Sequence, residues 1–510
     1  MLRTSLPLLL RCCLATTILG QLIATAYGVA FAPIFTDHAV LQRDKPISIW
    51  GTAKAGEKVR ITFGSHTADT VADTDGRWKV ELPAMAASSQ PQNLAAKGDA
   101  ASITLTDILV GDVWLASGQS NMGRTVRRIA TPAEEVAKAD IPLIRHFTVT
   151  GAVSDTPTSA LGGQWVVCSP RTVGNFTAVG YFFAKDMVEA LNVPVGIIHA
   201  SWGGTRIDTW SSPASIESNP AYRGVTERWK SAAADYPKRK DAYETALKNW
   251  EAEAALAKKK GTPFTQRAPR QPEGAPLHFQ TPGGLYNGMI HPLIPYGLSG
   301  FLWYQGESNA LRPDEYAELF PALITDWRKQ FQQGNLPFLF VQLASYKGIT
   351  PSEDWALFRE VQSRALSLPA TGMAVIIDIG DPEDIHPLNK KDVGKRLALL
   401  AKNRIYGQAC VDTGPTLQSA VRQGASVRLT FLHADGLHTT NETLREFEVA
   451  GKDGVYHAAS ATQEGDAIIV KSKAVPAPAF VRYAWRNTPV VTLFNAAGLP
   501  MVPFRHEVSQ

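Results

Sequence analysis

The residues best suited to chemistry stand in the run Gly118-Gln119-Ser120-Asn121-Met122, which follows the apolar stretch Leu109 to Ala116. A serine at the sharp end of a buried strand, flanked by small and amide residues, is where a hydrolase exposes a nucleophile. The run is not a Gly-x-Ser-x-Gly elbow, because Met122 holds the last position, and this disfavours an ordinary α/β-hydrolase. Ser and Asn also favour helix N-caps. On these five residues alone, nucleophile and cap stand level.

Three further segments shift that balance. Ser201-Trp202-Gly203-Gly204-Thr205 follows an apolar run, and adjacent glycines let backbone N–H groups approach a developing oxyanion. Trp303-Tyr304-Gln305-Gly306-Glu307-Ser308-Asn309 follows the next apolar run and brings the amides of Gln305 and Asn309. Asp384-Ile385-His386-Pro387 supplies a base and an acid to orient it. Reactive groups at the carboxyl ends of parallel strands converge on one crevice.

The elements that must position these groups are legible as changes of period. Between Phe31 and Leu109, alternating segments such as Ile47 to Trp50, Val59 to Phe63, Arg77 to Leu82 and Ser102 to Leu105 predict antiparallel strands, with Asp75-Gly76 as a hairpin signal. From Val110 onward, short apolar runs at Val193 to Ile198, Gly300 to Tyr304, Leu336 to Val341 and Met373 to Asp378 suit a parallel sheet covered on both faces. Helices are predicted between them over Val179 to Leu191, Asp314 to Phe331, Trp355 to Leu368 and Lys391 to Asn403. Pro237 to Lys260 reads as a helical insertion packed on one face through Tyr236, Tyr243, Leu247, Trp250 and Ala254, with Thr262 to Gly284 as a loop after it. Alternation returns in Ala425 to Phe431, Ala467 to Val470 and Phe480 to Trp485.

Taken together, these motifs resemble those of the SGNH hydrolases, and within them the sialate O-acetylesterase-like carbohydrate esterases. Besides the segments above, Leu285-Tyr286-Asn287-Gly288-Met289-Ile290, Val40-Leu41-Gln42, Gly498-Leu499-Pro500 and Pro503-Phe504-Arg505 carry the resemblance. It covers nearly the whole chain after the leader. It implies a three-layer α/β/α (flavodoxin-like) hydrolase domain at 110–410 with an insertion at about 212–284, flanked by β-rich modules at 31–109 and 411–510. It further implies hydrolysis of acetyl esters on sugar hydroxyls with no metal or other cofactor. Residue by residue, Ser120 becomes the nucleophile and His386 the general base. The N–H groups of Ser120 and Gly204, or else Gly203, with the side chain of Gln305, become the oxyanion donors, and Asn309 a neighbouring binding residue. The usual Asp-x-x-His spacing is missing, since Glu383 stands three before His386 and Asp384 two before. Asp384 is the favoured acid, with Glu383, Asp381 or no acid at all as alternatives. The sugar is a 9-O-acetyl sialate or, alternatively, an acetylated plant polysaccharide such as xylan.

Composition bounds the remaining classes. The chain has 510 residues, 45% hydrophobic and 19% charged, with a net charge of +4, which predicts several globular domains and no nucleic-acid partner. Between Ala221 and Gln280 stand 12 Lys or Arg against 7 Asp or Glu, a balance of +5, as on a solvated inserted element. Arg3, Arg11 and the apolar run Leu8 to Ile23 before small residues predict an export signal over 1–30, cut between about Tyr27 and Phe31 and leaving no membrane span. Cys12 and Cys13 would leave with it, and Cys168 and Cys410 would remain, either paired or as separate buried thiols. His199 and His291 read as structural, Arg124 and Arg206 as surface residues or clamps for a carboxylate, and Trp202, Trp210, Trp303 and Tyr304 as packing residues or sugar platforms. A carbohydrate-binding protein with an inert centre is the competing class, and the full set of reactive groups argues against it.

Overall fold

Burial on both faces makes a strand read as one continuous apolar run, and Ile108 to Ala116 is the longest buried stretch of that kind. It belongs to β1, Ser102–Gly118, the centre of the main sheet of the computed structural model. The structure describes residues 28–348, 354–440 and 443–509. Cys12, Cys13 and most of the expected export signal lie outside the described residues, among which no helix is long and apolar enough to cross a membrane.

The sheet continues with β2 (Ile144–Thr148), β3 (Trp165–Val167), β4 (Val195–Ser201), β5 (Gly300–Tyr304), β6 (Phe338–Val341) and β7 (Thr371–Ala374), in the order β3-β2-β4-β1-β5-β6-β7. All neighbours run parallel except β3 and β2. From β1 the chain builds outward on one side, returns through β4, then crosses to β5 and builds outward on the other. The direction of winding therefore reverses beside β1, where an open α/β sheet leaves its crevice.

Helices cover both faces of this sheet. α1 (Ser120–Gly123) follows β1 directly, α2 (Ala178–Leu191) packs with α6 (Lys391–Arg404), α4 (Pro313–Phe331) packs with α5 (Trp355–Ser363), and α3 (Arg223–Lys260) belongs to the insertion. Trp114 of β1 meets Phe183 of α2 at 4.9 Å, whereas Phe301 of β5 meets Trp327 and Phe331 of α4 at 5.3 and 5.4 Å. Phe301 is registered with Leu115 and Gly300 with Trp114, so the two contacts lie on opposite faces of the pleat. Pro313 in the first turn, Asp314 and Glu315 beside it, and Arg328 and Lys329 in the last turn suit the ends of α4.

The structure departs from the sequence reading in four places. β2 and β3 escaped the apolar search because β2 carries Arg145 and His146, both buried. Arg145 is paired with Asp107 at 2.6 Å, and His146 is stacked on Phe176 at 4.4 Å. Asp75-Gly76 does close a turn, with Asp73 Oδ1 accepting from the N–H of Asp75 and Arg77, but the flanking strands His66–Val71 and Arg77–Leu82 lie in different sheets. β7 ends at Ala374, and Val375 to Asp378 leave the sheet while Asp378 pairs with Arg396 at 2.6 Å. The insertion helix starts earlier than expected and runs unbroken through Pro237 for 38 residues.

That helix packs on one side, as its aromatic spacing indicated. The Trp250 indole donates to the Gln266 carbonyl at 2.8 Å and its ring meets Phe264 at 5.7 Å. Near its middle, one Arg239 nitrogen donates to the carbonyls of Ala232 and Glu273, at 3.1 and 2.9 Å, and so closes a neck between the helix and the returning chain. The flanking strands are antiparallel except Val40–Gln42, which runs parallel to Leu109–Gly111 of β1. Ser88–Lys97 pairs with the first half of β1 in front of the sheet, and two four-stranded sheets follow α6. β1 thus serves the N-terminal β region and the parallel sheet in one strand.

Gly118, the last residue of β1, holds φ 134°, and a Cβ there would stand 2.1 Å from the Tyr304 carbonyl oxygen. Gly118→Ala is expected to lower the free energy of unfolding by about 3 kcal/mol, since a strained non-glycine backbone alone costs about 1–3 kcal/mol. An unchanged urea midpoint would refute this.

Candidate active site

Where β1 ends, the chain turns at Gly118 and Gln119 and starts α1 with Ser120. Gln119, with φ −119°, occupies the cap position, so the Ser120 hydroxyl is not spent on the helix start. That hydroxyl instead lies 2.8 Å from His386 Nε2. The nucleophile and base expected from the sequence are therefore in hydrogen-bond contact across 266 residues of chain.

His386 sits on the loop after β7. Asp384 Oδ1 accepts from the His386 backbone N–H at 2.8 Å and stands 3.5 Å from Nδ1. The other two candidate acids are engaged elsewhere. Glu383 is exposed and paired with Lys347, and Asp381 Oδ1 accepts from the N–H of Glu383 and Asp384 at 2.9 and 3.3 Å, closing the turn. Partial burial depresses His386 below the usual imidazole range. The Asp384 charge opposes that shift, and the positive charges of Arg124 and Lys390 add to it.

The glycine turn after β4 reaches the serine directly. A Cβ on Gly203 would lie 3.3 Å from Ser120 Cβ, which makes Gly203 the glycine in contact with Ser120, while Gly204 takes the left-handed conformation at φ 77°. The returning chain of the insertion grips this turn. Gln280 donates to the Gly204 carbonyl at 2.7 Å and accepts from the Arg206 N–H at 3.0 Å.

Gln305 corrects the sequence reading. Its amide nitrogen donates to the Thr205 carbonyl at 3.1 Å and to Asn309 Oδ1 at 2.7 Å. Both N–H bonds are spent, so Gln305 braces the turn and offers no donor to an oxyanion. Asn309 Oδ1 also accepts from the Ile207 N–H at 3.0 Å, which fixes that amide with its oxygen turned toward Ile207 and Gln305.

Beneath Ser120 lies a buried polar group that the motif search passed over. Lys390, fully buried, donates to Asn121 Oδ1 at 2.6 Å, and Asn121 Nδ2 donates to Glu307 Oε1 at 2.5 Å and to the Ile385 carbonyl at 2.9 Å. Burial pulls Lys390 down to about 7 and pushes the Glu307 carboxyl up. A signal for Lys390 did exist: it falls on the same helical stripe as the buried Val393, Leu397 and Ala401.

The remaining candidates separate cleanly. Arg206 is committed to Glu273 at 2.8 Å and Asp208 at 3.6 Å, whereas Arg124 donates through Nε to the Arg128 carbonyl at 2.8 Å. His199 is buried, with Nε2 2.7 Å from Ser201 Oγ, and His291 Nδ1 lies 2.9 Å from the Thr158 carbonyl. Trp210, Trp303 and Tyr304 are buried packing residues, while Trp202 stays partly exposed with its ring 12° from the plane of Phe279. Cys168 and Cys410 are both free thiols.

The sequence pattern of the family "Carbohydrate esterase, sialic acid-specific acetylesterase" matches residues 110–242 and 273–402, just over half of the chain. The chain belongs to this family. The esterase is 32% identical over 421 residues to a sialate O-acetylesterase of Rattus norvegicus, covering 75% of this chain and 74% of that protein. A sialate O-acetylesterase of Homo sapiens is 30% identical over 420 residues, covering 75% and 72%. A solved carbohydrate acetylesterase from Xanthomonas citri superposes on the esterase with a TM-score of 0.79 at 38% identity, covering 94% of this chain and 99% of that one. The esterase is a carboxylic ester hydrolase. Its family match breaks at 243–272, the far part of α3 and the loop that follows.

Single exchanges will sort the acids. Glu383→Gln should stay within about threefold of wild type on an aryl acetate, and Asp384→Asn should lose about tenfold or more. Because the Asp384 charge raises His386, Asp384→Asn should also move the acidic limb of the pH profile to lower pH. A limb that moves upward would rule Asp384 out.

Proposed function

We propose that the protein is an exported serine esterase that removes O-acetyl groups from sugars through an acetyl-Ser120 intermediate. The observation that carries this is the 2.8 Å contact between Ser120 Oγ and His386 Nε2 at the point where the sheet reverses its winding. Family membership supports a sugar acetate as the substrate, and the names of the rat and human relatives favour acetylated sialate within that class. Helices on both faces of a mostly parallel sheet support the three-layer SGNH arrangement, with the β regions before and after it as separate modules. The basic and apolar pattern of the first residues supports export.

In this reading Ser120 Oγ attacks the acetyl carbonyl carbon while its proton passes to His386 Nε2. The negative charge that develops on the carbonyl oxygen is met by the N–H of Ser120, which starts α1 and has no partner within the helix, and by an N–H of the Gly203-Gly204 turn. Asn309 Nδ2 takes the place first given to Gln305, because its own oxygen is held by two donors and only its nitrogen remains to be offered. The tetrahedral species collapses as His386 returns the proton to the sugar oxygen, releasing the sugar alcohol. Water then attacks acetyl-Ser120, giving its proton to His386. Collapse of the second tetrahedral species releases acetate and restores the serine hydroxyl.

Three results test the reading. Ser120→Ala should abolish acetate release from both 9-O-acetyl sialate and acetyl-xylan, assayed side by side, and the faster substrate for the wild type names the sugar. Asn309→Asp keeps the acceptor for Ile207 and Gln305 but removes the donor, so kcat should fall about a hundredfold. His386 must be neutral to accept the serine proton, and its depression means the neutral form persists below the usual 6.5. The acidic limb of kcat/KM is therefore expected below pH 6.5, and a limb above that value would contradict the environment described for His386.

A further inference from the structure

We infer that Asn121, fixed by buried Lys390 on its oxygen and by Glu307 on its nitrogen, is the positioning residue that locks the His386 loop to the helix carrying Ser120. The inference rests on the Ser120 and His386 roles proposed above. It concerns what holds the pair together.

Three elements meet at this one amide. Asn121 follows Ser120 in α1, Glu307 stands in the loop after β5, and Ile385 directly precedes His386. The Asn121 nitrogen has two hydrogens. One goes to Glu307 Oε1 at 2.5 Å and the other to the Ile385 carbonyl at 2.9 Å. An amide can rotate so that oxygen and nitrogen exchange places. Here the exchange would set the Asn121 oxygen against two acceptors and its nitrogen against the Lys390 donor. Lys390 at 2.6 Å therefore fixes the orientation, and the orientation fixes the backbone beside His386.

The amide and its lysine are placed where water cannot replace them. Lys390 is fully buried, Asn121 is 1% exposed, and the Lys390 ammonium lies 5.2 Å above the Tyr304 ring. Removing one member of a buried polar group leaves the others unsatisfied, which costs more than the group contributes when complete. Glu307 Oε2 has no partner among the described residues, so its Oε1 bond to Asn121 is the one that a neutral amide could reproduce.

Lys390 also acts on the base through its charge. The charged groups facing His386 are Asp384, Arg124 and Lys390; those facing Lys390 are Glu307, Arg124 and Asp384. A positive charge near an imidazole disfavours the imidazolium. Replacing Lys390 with a neutral side chain of similar length should therefore raise His386 and move the acidic limb of activity to higher pH. A purely structural lysine would alter rate or stability and leave the limb in place.

The experiment measures two rates against pH in the full chain: aryl acetate hydrolysis, and covalent labelling of Ser120 by a fluorophosphonate, which needs the serine and histidine but no acetyl substrate. Lys390→Met is expected to move the acidic limb upward in both. Asn121→Asp, which keeps the acceptor and loses both donors, should slow labelling at least about tenfold, and Glu307→Gln should restore most of what Glu307→Ala loses. A Lys390→Met protein with the wild-type limb and rate overturns the inference, as does a Glu307→Ala protein no slower than Glu307→Gln. Should Lys390→Met fail to fold, the Glu307 pair decides. A wild type that is labelled at Ser120 yet releases no acetate from any ester defeats the proposed reaction, while the labelling rates still decide the positioning role.

Discussion

Everything at the candidate site depends on how closely the backbone of Gly118 approaches the Tyr304 carbonyl. In a parallel sheet, neighbouring strands leave in the same direction and their loops compete for the same space. At β1 that competition is resolved by omitting a side chain and adopting a φ of 134°. The chain can then bend out of the sheet within two residues and present Ser120 above its edge. The turn after β4 uses the same economy at Gly203, which lies against Ser120 with no side chain between them. The two absent side chains bring Ser120, the glycine turn and the Gln305 brace within reach of each other.

The fold was legible where burial is uniform and obscure where it is mixed. β4, β5 and β6 lie inside the sheet and present apolar side chains to both faces, so their sequence is a plain run. β2 is just as buried, but it accommodates Arg145 by pairing it with Asp107 from a residue of β1 in left-handed conformation. Charge in the sequence marks exposure only when no partner waits in the fold, and the partner here is 38 residues away. The Asp75-Gly76 turn fails for the opposite reason: turn chemistry is local, while membership of a sheet is decided by what lies across it.

The site divides along the same line. Ser120, His386 and the glycine turn, which the structure brings together, stand out in the sequence because a hydroxyl, an imidazole and paired glycines after apolar runs are residue types suited to chemistry and close approach. Gln305 was misjudged because an amide at a strand end can give its hydrogens either to a substrate or to the fold. Only its neighbours Thr205 and Asn309 decide which. Lys390 is harder to see because lysine usually marks solvent, although it caps α6 in line with the buried Val393, Leu397 and Ala401.

The neck within α3 has a consequence for how this chain can vary. Arg239 joins Ala232 to Glu273, and Arg206 and Gln280 secure the returning chain from the site side. The ends of the excursion are thus closed before its far part begins. The entropy of closing a loop grows only with the logarithm of its length, so residues beyond the neck can be added, removed or recomposed at small cost to the rest of the fold. The interruption of the family pattern at 243–272 falls in that region. The neck is thus a joint at which the fold permits novelty, set one hydrogen bond away from the turn that touches Ser120.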